Sequence, residues 1–196
     1  MMLKRFTRTI RAGAIAALFV AGSYSSAIAA PIVQFSTTGS FGAGGNSVTF
    51  SSGTGSVTLT YSGTTNTLDA PSNTNYGDIL MTTTGTFAGS ASTSFTLGIN
   101  QTLPVPGTTA VSGPITGTIA KTNQTDFVLS FSGTLCDDNP TSICTNIDGV
   151  TYQIQRAYFL VPPISGAGGA AAPGTTTLQG RVTAAEQPVP VPEPAT

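Results

Sequence analysis

The side chains that most often carry catalysis are scarce in this sequence. Histidine is absent, so the usual general base near neutral pH is missing and neither a Ser-His-Asp nor a Cys-His nucleophile can be assembled. A catalytic zinc would have to be held without imidazole, which is uncommon. A pair of carboxylates can hydrolyse a glycosidic bond, but no acidic residue lies in a recognisable catalytic context. The inventory therefore predicts a protein that is not an enzyme and uses no cofactor.

Two cysteines close together offer one covalent link. Cys136 and Cys144 enclose the segment CDDNPTSIC, and the chain has no other cysteine. In an exported protein such a pair most simply forms a disulfide. In the chain-entropy model, closing a loop this short stabilises the fold by roughly 2–3 kcal/mol. A metal-binding pair is the weaker alternative, because two further soft ligands are missing.

The same segment concentrates oxygen ligands. Asp137, Asp138 and Asn139 are consecutive, and Asp148 follows shortly after them. Carboxylate and amide oxygens are the ligands that Ca²⁺ prefers, so these four residues form a candidate calcium site. Their spacing does not match an EF-hand loop, and a solvated polar turn is the preferred interpretation.

These residues belong to a chain whose composition favours strands and turns. From Ala30 onward the sequence contains 32 Thr, 16 Ser and 21 Gly among 167 residues. Thr favours strands, whereas Gly and Ser favour turns. The same region has three basic residues against eight acidic ones, a net charge of −5. A basic surface for a phosphate backbone is absent, so nucleic acid is not an expected partner.

Apolar residues recur at every second position in several short segments, which is the pattern of a half-buried strand. In SVTLTYSG, for example, Val57, Leu59 and Tyr61 share one face. In GVTYQIQRAYFLV the alternation is followed by a continuous apolar run through Tyr158, Phe159 and Leu160, which predicts a more buried strand. The predicted strands lie within residues 47–52, 56–63, 94–103, 126–133, 149–161 and 175–184.

Segments rich in Gly, Pro, Asn and Ser separate these strands and are predicted to be turns. They include residues 71–78 and 105–114, and residues 161–174 are predicted to be a long exposed loop. Short strands with regular turn signals predict one all-β domain over residues 30–185, an antiparallel β-sandwich or jelly roll. A β-helix is the alternative, but no repeat of fixed period supports it.

Both ends of the chain lie outside this predicted domain. The N-terminus has a basic stretch, an apolar run at residues 12–22 and small residues up to Ala29, which is the order of a secretory signal peptide. The apolar run is too short to span a bilayer, which takes about 20 residues, and no run of spanning length follows. Residues 1–29 are therefore predicted to be removed on export. Residues 186–196 are proline-rich and predicted to be an extended spacer.

The final residues, VPVPEPAT, resemble the start of the PEP-CTERM sorting signal of exported proteins in Gram-negative bacteria. The matching motif is Val191, Pro192, Glu193 and Pro194. In that family a hydrophobic membrane segment and an Arg-rich end follow the motif, and an exosortase is thought to process the signal. Neither part follows Thr196 here. A chain without them is expected to be released rather than held in the membrane.

Roughly residues 32 to 184 resemble a choice-of-anchor ectodomain of type K, which is common ahead of this signal. The likeness rests on GSFGAGGNSVTF, FTLGINQTLPVPGT, IDGVTYQIQ and TTTLQGRVT. Such domains have no established activity, and proteins with the signal tend to accompany exopolysaccharide production. The resemblance therefore implies a non-catalytic protein of the cell surface or extracellular matrix, associated with biofilm. Its implied partners are polysaccharide and, if the full C-terminal signal exists, the exosortase machinery.

Two alternative functions remain open. One is a carbohydrate-binding module that presents aromatic residues on an exposed face, for which the candidates are Tyr61, Tyr76, Tyr152 and Tyr158. The preferred interpretation of these tyrosines is that they are core residues with bonded hydroxyls. The other alternative is a glycoside hydrolase, which would need two carboxylates about 5–10 Å apart in a cleft.

Overall fold

A computed structural model describes residues 29–42, 44–53, 55–85, 89–121, 124–165 and 171–185. Residues 1–28 of the predicted signal peptide (residues 1–29) and the predicted sorting motif at 191–194 lie outside these residues, so both stay predictions. Across the described ranges, no helix has the length and apolar character needed to cross a bilayer.

The described residues form sixteen β-strands. In chain order they are β1 (Ile32–Phe41), β2 (Ser47–Ser52), β3 (Gly55–Ser62), β4 (Thr65–Asp69), β5 (Ser72–Thr84), β6 (Gly89–Leu103), β7 (Gly107–Lys121), β8 (Gln124–Thr125), β9 (Val128–Ser130), β10 (Leu135–Cys136), β11 (Asn139–Ile147), β12 (Val150–Gln155), β13 (Ala157–Phe159), β14 (Ile164–Ser165), β15 (Ala171–Ala172) and β16 (Gly174–Ala184).

Two antiparallel sheets of these strands pack face to face. The first has the order β13-β9-β7-β6-β1-β4, with β8 beside β7, and the second has the order β10-β11-β12-β16-β5-β3-β2. Strands β14 and β15 form a small separate pair. The predicted all-β fold, an antiparallel β-sandwich, is confirmed. Insertion of β16 between β12 and β5 joins residues from both halves of the chain in one sheet.

The apolar faces of the two sheets form the core, as the period-two pattern predicts. Val57 and Leu59 of β3 are fully buried. At the centre, the Phe35 ring lies 5.8 Å from the Tyr76 ring and 5.3 Å from the Tyr152 ring, measured between centroids. Burying a large apolar side chain contributes about 1.5–3 kcal/mol, so this aromatic contact is a main source of stability.

Side-chain hydrogen bonds cross the core from one sheet to the other, and in two of them a tyrosine of the second sheet donates to a side chain of the first. Tyr152 Oη donates to Gln101 Oε1 at 2.7 Å, and Tyr61 Oη donates to Thr37 Oγ1 at 2.8 Å. The Gln101 amide in turn donates to the Val105 carbonyl at 2.6 Å. In the part of the chain that the structure describes, no buried side-chain polar atom lacks a partner. Because an unpaired buried polar group costs about 1–3 kcal/mol, these bonds fix how the sheets stack.

Several predicted turns are wrong. Of the predicted turn at residues 71–78, residues 72–78 form the first half of β5, which pairs with β16 from Ser72 onward. Most of residues 105–114 belong to β7. Within the predicted loop at 161–174, β14 pairs with β15 and Gly174 already begins β16. Neighbouring strands supply ladder partners for these backbones, which outweighs the turn preference of Asn, Gly and Pro.

The segment around Phe159 also differs from its prediction. Tyr158 and Leu160 are buried, but Phe159 is 78% exposed, so the alternation continues instead of giving a more buried strand. Strand β13 is at the edge of the first sheet and pairs only with β9. Only one of its faces contacts the core.

Candidate functional site

An open polar groove of about 780 Å³ lies on the outer face of the second sheet. Eleven of its twelve lining residues carry an amide, hydroxyl, carboxylate or guanidinium group. We call this surface the amide groove. Its lining residues are Asn73, Thr74, Asn75, Asp138, Asn139, Thr141, Ser142, Gln153, Gln155, Gln179, Gly180 and Arg181.

Strand alternation turns the long polar side chains of the groove away from the core. In β12, Tyr152 and Ile154 are fully buried, so Gln153 and Gln155 project from the opposite face of the sheet. The same alternation in β16 buries Val182 and leaves Arg181 exposed. The apolar pattern that builds the core therefore also builds the groove.

Strand register aligns these side chains in rows across the sheet. Gln153 of β12 is paired with Arg181 of β16, which is paired with Asn73 of β5. Directly opposed residues have Cβ atoms about 4.5–5.5 Å apart, so this row can touch one ligand. In a neighbouring row, Gln179 of β16 is paired with Asn75 of β5.

A disulfide-closed hairpin forms one wall of the groove. Cys136 and Cys144 are bonded, with Cα atoms 5.0 Å apart, which confirms the predicted disulfide. Within the closed loop, both carboxylate oxygens of Asp138 accept hydrogen bonds from Gln153 Nε2, at 3.0 and 2.9 Å. The loop is thereby attached to the floor of the groove in two ways. It is joined by the disulfide to Cys144 of β11, and it is held by the hydrogen bonds from the Gln153 amide.

Asn139 shapes the turn of the same hairpin. Its Oδ1 accepts hydrogen bonds from the Thr141 backbone N–H at 3.1 Å and from the Thr141 hydroxyl at 2.6 Å. This local bonding is typical of Asn at a turn. The side-chain carbonyl oxygen of Asn139 is therefore already hydrogen-bonded within the hairpin, and Asn139 stabilises this wall of the groove.

The four candidate calcium ligands do not converge on one ion. Asp138 and Asn139 line the groove, whereas Asp148 follows the far end of β11, a strand of nine residues. At about 3.3 Å per residue, Asn139 and Asp148 are about 30 Å apart, far beyond a shared coordination sphere. Asp137 is exposed and does not line the groove. Among the described residues, no group of three or more His, Cys, Asp or Glu could hold a metal ion.

Asp148 instead has a conformational role. Asp148 and Gly149 link β11 to β12 in a two-residue hairpin, with φ angles of 43° and 81°. Positive φ at both central positions is the type I′ geometry, for which Asp-Gly is a favoured pair. Asn146 Oδ1 accepts the Gly149 N–H at 3.1 Å and supports the turn.

The four candidate tyrosines are core residues, so the preferred interpretation is confirmed. None is more than 6% exposed, and each hydroxyl has a hydrogen-bond partner; for example, Tyr158 Oη donates to the Gln179 carbonyl at 2.6 Å. Burial raises the pKa of Tyr61 to about 12 and raises the pKa values of Tyr76, Tyr152 and Tyr158 as well. These rings do not form an exposed aromatic binding face.

The groove has one charged group of each sign. Asp138 is bonded to Gln153, and no ion pair joins its carboxylate to Arg181. The exposed Arg181 guanidinium has no hydrogen-bond or ion-pair partner among the described residues. Arg181 also lines an adjoining cavity of about 390 Å³, together with small residues that include Pro31, Ala70 and Pro71.

Sequence patterns point to only two of the groove residues, Asp138 and Asn139. Asn73 and Asn75 fall in a predicted turn, and nothing in the sequence aligns them with β12 or β16. A usable signal is the pairing of long polar residues two positions apart, as in Asn73 and Asn75 or Gln153 and Gln155. Such pairs place amides on the solvent face of a strand whose other face is apolar.

The polar groups that line the amide groove can bind a polar ligand. Glycoside hydrolysis uses two carboxylates, and Asp138 is the single carboxylate among the residues that line the groove. No family model matches this chain, and no curated protein or solved structure matches it.

Proposed function

We propose that this chain is a non-catalytic exported protein that binds polysaccharide of the extracellular matrix through the amide groove. The observation that carries the proposal is the set of six amide side chains among the twelve residues lining one open surface. An amide side chain has both N–H donors and a carbonyl acceptor. Asn139, Gln153 and Gln155 already use part of this capacity within the protein, whereas the side chains of Asn73, Asn75 and Gln179 bond to no other described residue. A sugar hydroxyl also donates and accepts, so amide-lined surfaces complement polyhydroxylated ligands.

Other ligand classes fit this surface less well. The region from Ala30 onward has a net charge of −5, which opposes nucleic acid. The side chains that line the groove are polar, whereas sites for apolar small molecules are lined mainly by hydrophobic and aromatic groups. An open groove also suits a segment of a long polymer better than a small ligand that must be enclosed.

Location outside the cell is the second part of the proposal. The signal-peptide pattern and the PEP-CTERM-like motif support export from a Gram-negative bacterium, and an exosortase is the proposed partner of a chain that carries the full C-terminal signal. The Cys136–Cys144 disulfide supports the same assignment, because disulfides persist in oxidising compartments. By association with that signal, the polysaccharide is expected to be an exopolysaccharide of the cell surface or biofilm.

Affinity electrophoresis of the exported chain in gels containing bacterial exopolysaccharides tests this proposal. We expect at least one polysaccharide to retard the protein, and Asn75→Ala combined with Gln179→Ala to weaken binding about tenfold or more. Each lost hydrogen bond is worth about 0.5–1.5 kcal/mol, which for two bonds corresponds to that factor.

Asn100→Ala is the matched control for this experiment. Asn100 is an exposed amide on β6 of the other sheet, between the inward-facing Ile99 and Gln101. Retardation should be unchanged in this variant. An absence of retardation by every polysaccharide, or equal retardation of the groove variant and the wild type, would reject the proposal.

A further inference from the structure

The cation of the amide groove, Arg181, has no hydrogen-bond acceptor among the described residues. Arg181 lies between Gln153 and Asn73 in the register of three adjacent strands, and its guanidinium bonds to none of the described residues. Arginine has five N–H donors and no acceptor, and its planar fork matches the two oxygens of a carboxylate. The position therefore offers a ready site for one anionic group.

The negative charge of the groove, on Asp138, is separated from Arg181 by the amide of Gln153. Asp138 is held by Gln153 Nε2, and Gln153 in turn is paired in register with Arg181. A carboxylate only accepts hydrogen bonds, so the groove has an acceptor-only end at Asp138 and a donor-only position at Arg181. Adjacent strands are about 4.8 Å apart, and the span from β11 to β5 is therefore about 14 Å, enough for several linked sugars.

The groove does not end at Arg181. The adjoining cavity of about 390 Å³ begins there and is lined by small residues that include Ala70 and Pro71. A polymer can therefore place a charged group at Arg181 and continue on both sides, with hydroxyls toward the amides and a less polar face toward the prolines.

We propose that the amide groove selects an acidic polysaccharide in which isolated uronate residues alternate with neutral sugars, and that Arg181 binds the uronate carboxylate. This inference rests on the proposed polysaccharide binding. Isolated charges are specified because the chain from Ala30 onward has a net charge of −5 and would repel a densely anionic polymer. Hydroxyls of the neutral sugars donate to Asp138 and exchange hydrogen bonds with the neighbouring amides.

The test compares one oligosaccharide in two forms by calorimetric titration of the exported chain. The probe is the repeating-unit oligosaccharide of gellan, which contains a single glucuronate, and its carboxyl-reduced form is the neutral counterpart. We expect the glucuronate form to bind about three to ten times more tightly at low salt, as for an exposed charge-assisted contact. Arg181→Gln should bring the two affinities within about twofold of each other, and added salt should reduce the preference.

Arg156→Gln is the charge-matched control. Arg156 is exposed and follows β12, but it does not line the groove, so this variant should keep the wild-type preference. Equal affinity of the wild type for the two forms, or a preference that survives in Arg181→Gln, would overturn the uronate assignment while leaving polysaccharide binding intact. Failure of both forms to bind, together with no retardation by any polysaccharide, would overturn both proposals.

Discussion

The hydroxyl of Tyr76 lies 3.1 Å from the backbone carbonyl oxygen of Arg181, a residue 105 positions later in the chain. The same hydroxyl lies 3.2 Å from the Gln153 carbonyl. The Tyr76 ring is fully buried in the core, whereas the side chains of Gln153 and Arg181 project into the amide groove. One core residue thus bonds the backbone of two neighbouring groove positions and sets how their side chains are presented.

Tyr76→Phe should therefore weaken ligand binding from inside the core. The change removes the hydroxyl and keeps the ring, so we expect a loss of about 1 kcal/mol in the free energy of unfolding. We also expect a several-fold loss of polysaccharide affinity, because the hydroxyl that bonds the backbone carbonyls of Gln153 and Arg181 is gone. Chemical denaturation and affinity electrophoresis measure the two effects.

Tyr152→Phe provides the control for this variant. Its hydroxyl donates to Gln101 between the sheets and does not contact the groove. It should lose similar stability but retain affinity. Equal affinity losses in the two variants would show that Tyr76 acts through general stability and not through the groove backbone.

Gly180→Ala should strongly destabilise the protein. A Cβ atom at this position would lie 1.9 Å from the Gln153 carbonyl oxygen and 2.6 Å from Cε2 of Tyr76. Backbone cannot yield as a flexible side chain can, so we expect a loss of about 2–3 kcal/mol or more by denaturant titration. Gly133→Ala is the comparison, since its Cβ would make ordinary contacts of 3.6 Å with Ile143. An unchanged free energy of unfolding in Gly180→Ala would mean that β12 and β16 are not this close.

Removal of the disulfide should affect both the fold and the groove. Cys136→Ser combined with Cys144→Ser is expected to lower the free energy of unfolding by roughly 2–3 kcal/mol. Affinity should fall as well, because the loop that the bond closes carries Asp138. Asp138→Asn should also reduce affinity, while Asp137→Asn, in the same loop but outside the groove, should not. Wild-type affinity in the double serine variant would show that ligand binding does not depend on the disulfide.

Alkaline titration should report the buried tyrosines. Burial raises the pKa of Tyr61 to about 12 and raises those of the other three, so the folded state disfavours the phenolate. Their contribution to stability is therefore fully present below the unfolded pKa of about 10 and is lost as the pH rises toward 12 and above.

Ultraviolet absorbance and circular dichroism together measure this effect. The sequence from Ala30 onward contains only these four tyrosines, so the tyrosinate band of the exported chain reports them alone. We expect little tyrosinate at pH 10 and its appearance only as the β-sheet signal is lost. Reversible ionisation near pH 10 with the sheet signal intact would contradict the buried positions.

Strands with a clear apolar face could be predicted from the sequence, and strands with Asn, Gly and Pro could not. In residues 56–63 and 126–133 apolar residues recur at every second position, and these positions are in the core: Val57, Leu59, Tyr61, Phe127, Leu129 and Phe131. The first halves of β5 and β7 resemble turns, because their residues favour turns in isolation. Pairing with β16 and β6 overrides that local preference. Strand β6 directly precedes β7 in the chain, but β16 is far from β5, so nearby residues do not identify the partner of β5.

The sequence by itself determined the period-two core pattern, the all-β class and the bond between Cys136 and Cys144. Each depends on residues close together in the chain, where local periodicity or loop length is sufficient. The tertiary structure decided the register that brings residues 73–75, 138–142, 153–155 and 179–181 into one groove. It also separated Asp148 from Asn139 by the length of β11. A polar residue on the solvent face of a strand has the same pattern whether it binds a ligand or only water, so its neighbours on other strands decide between the two.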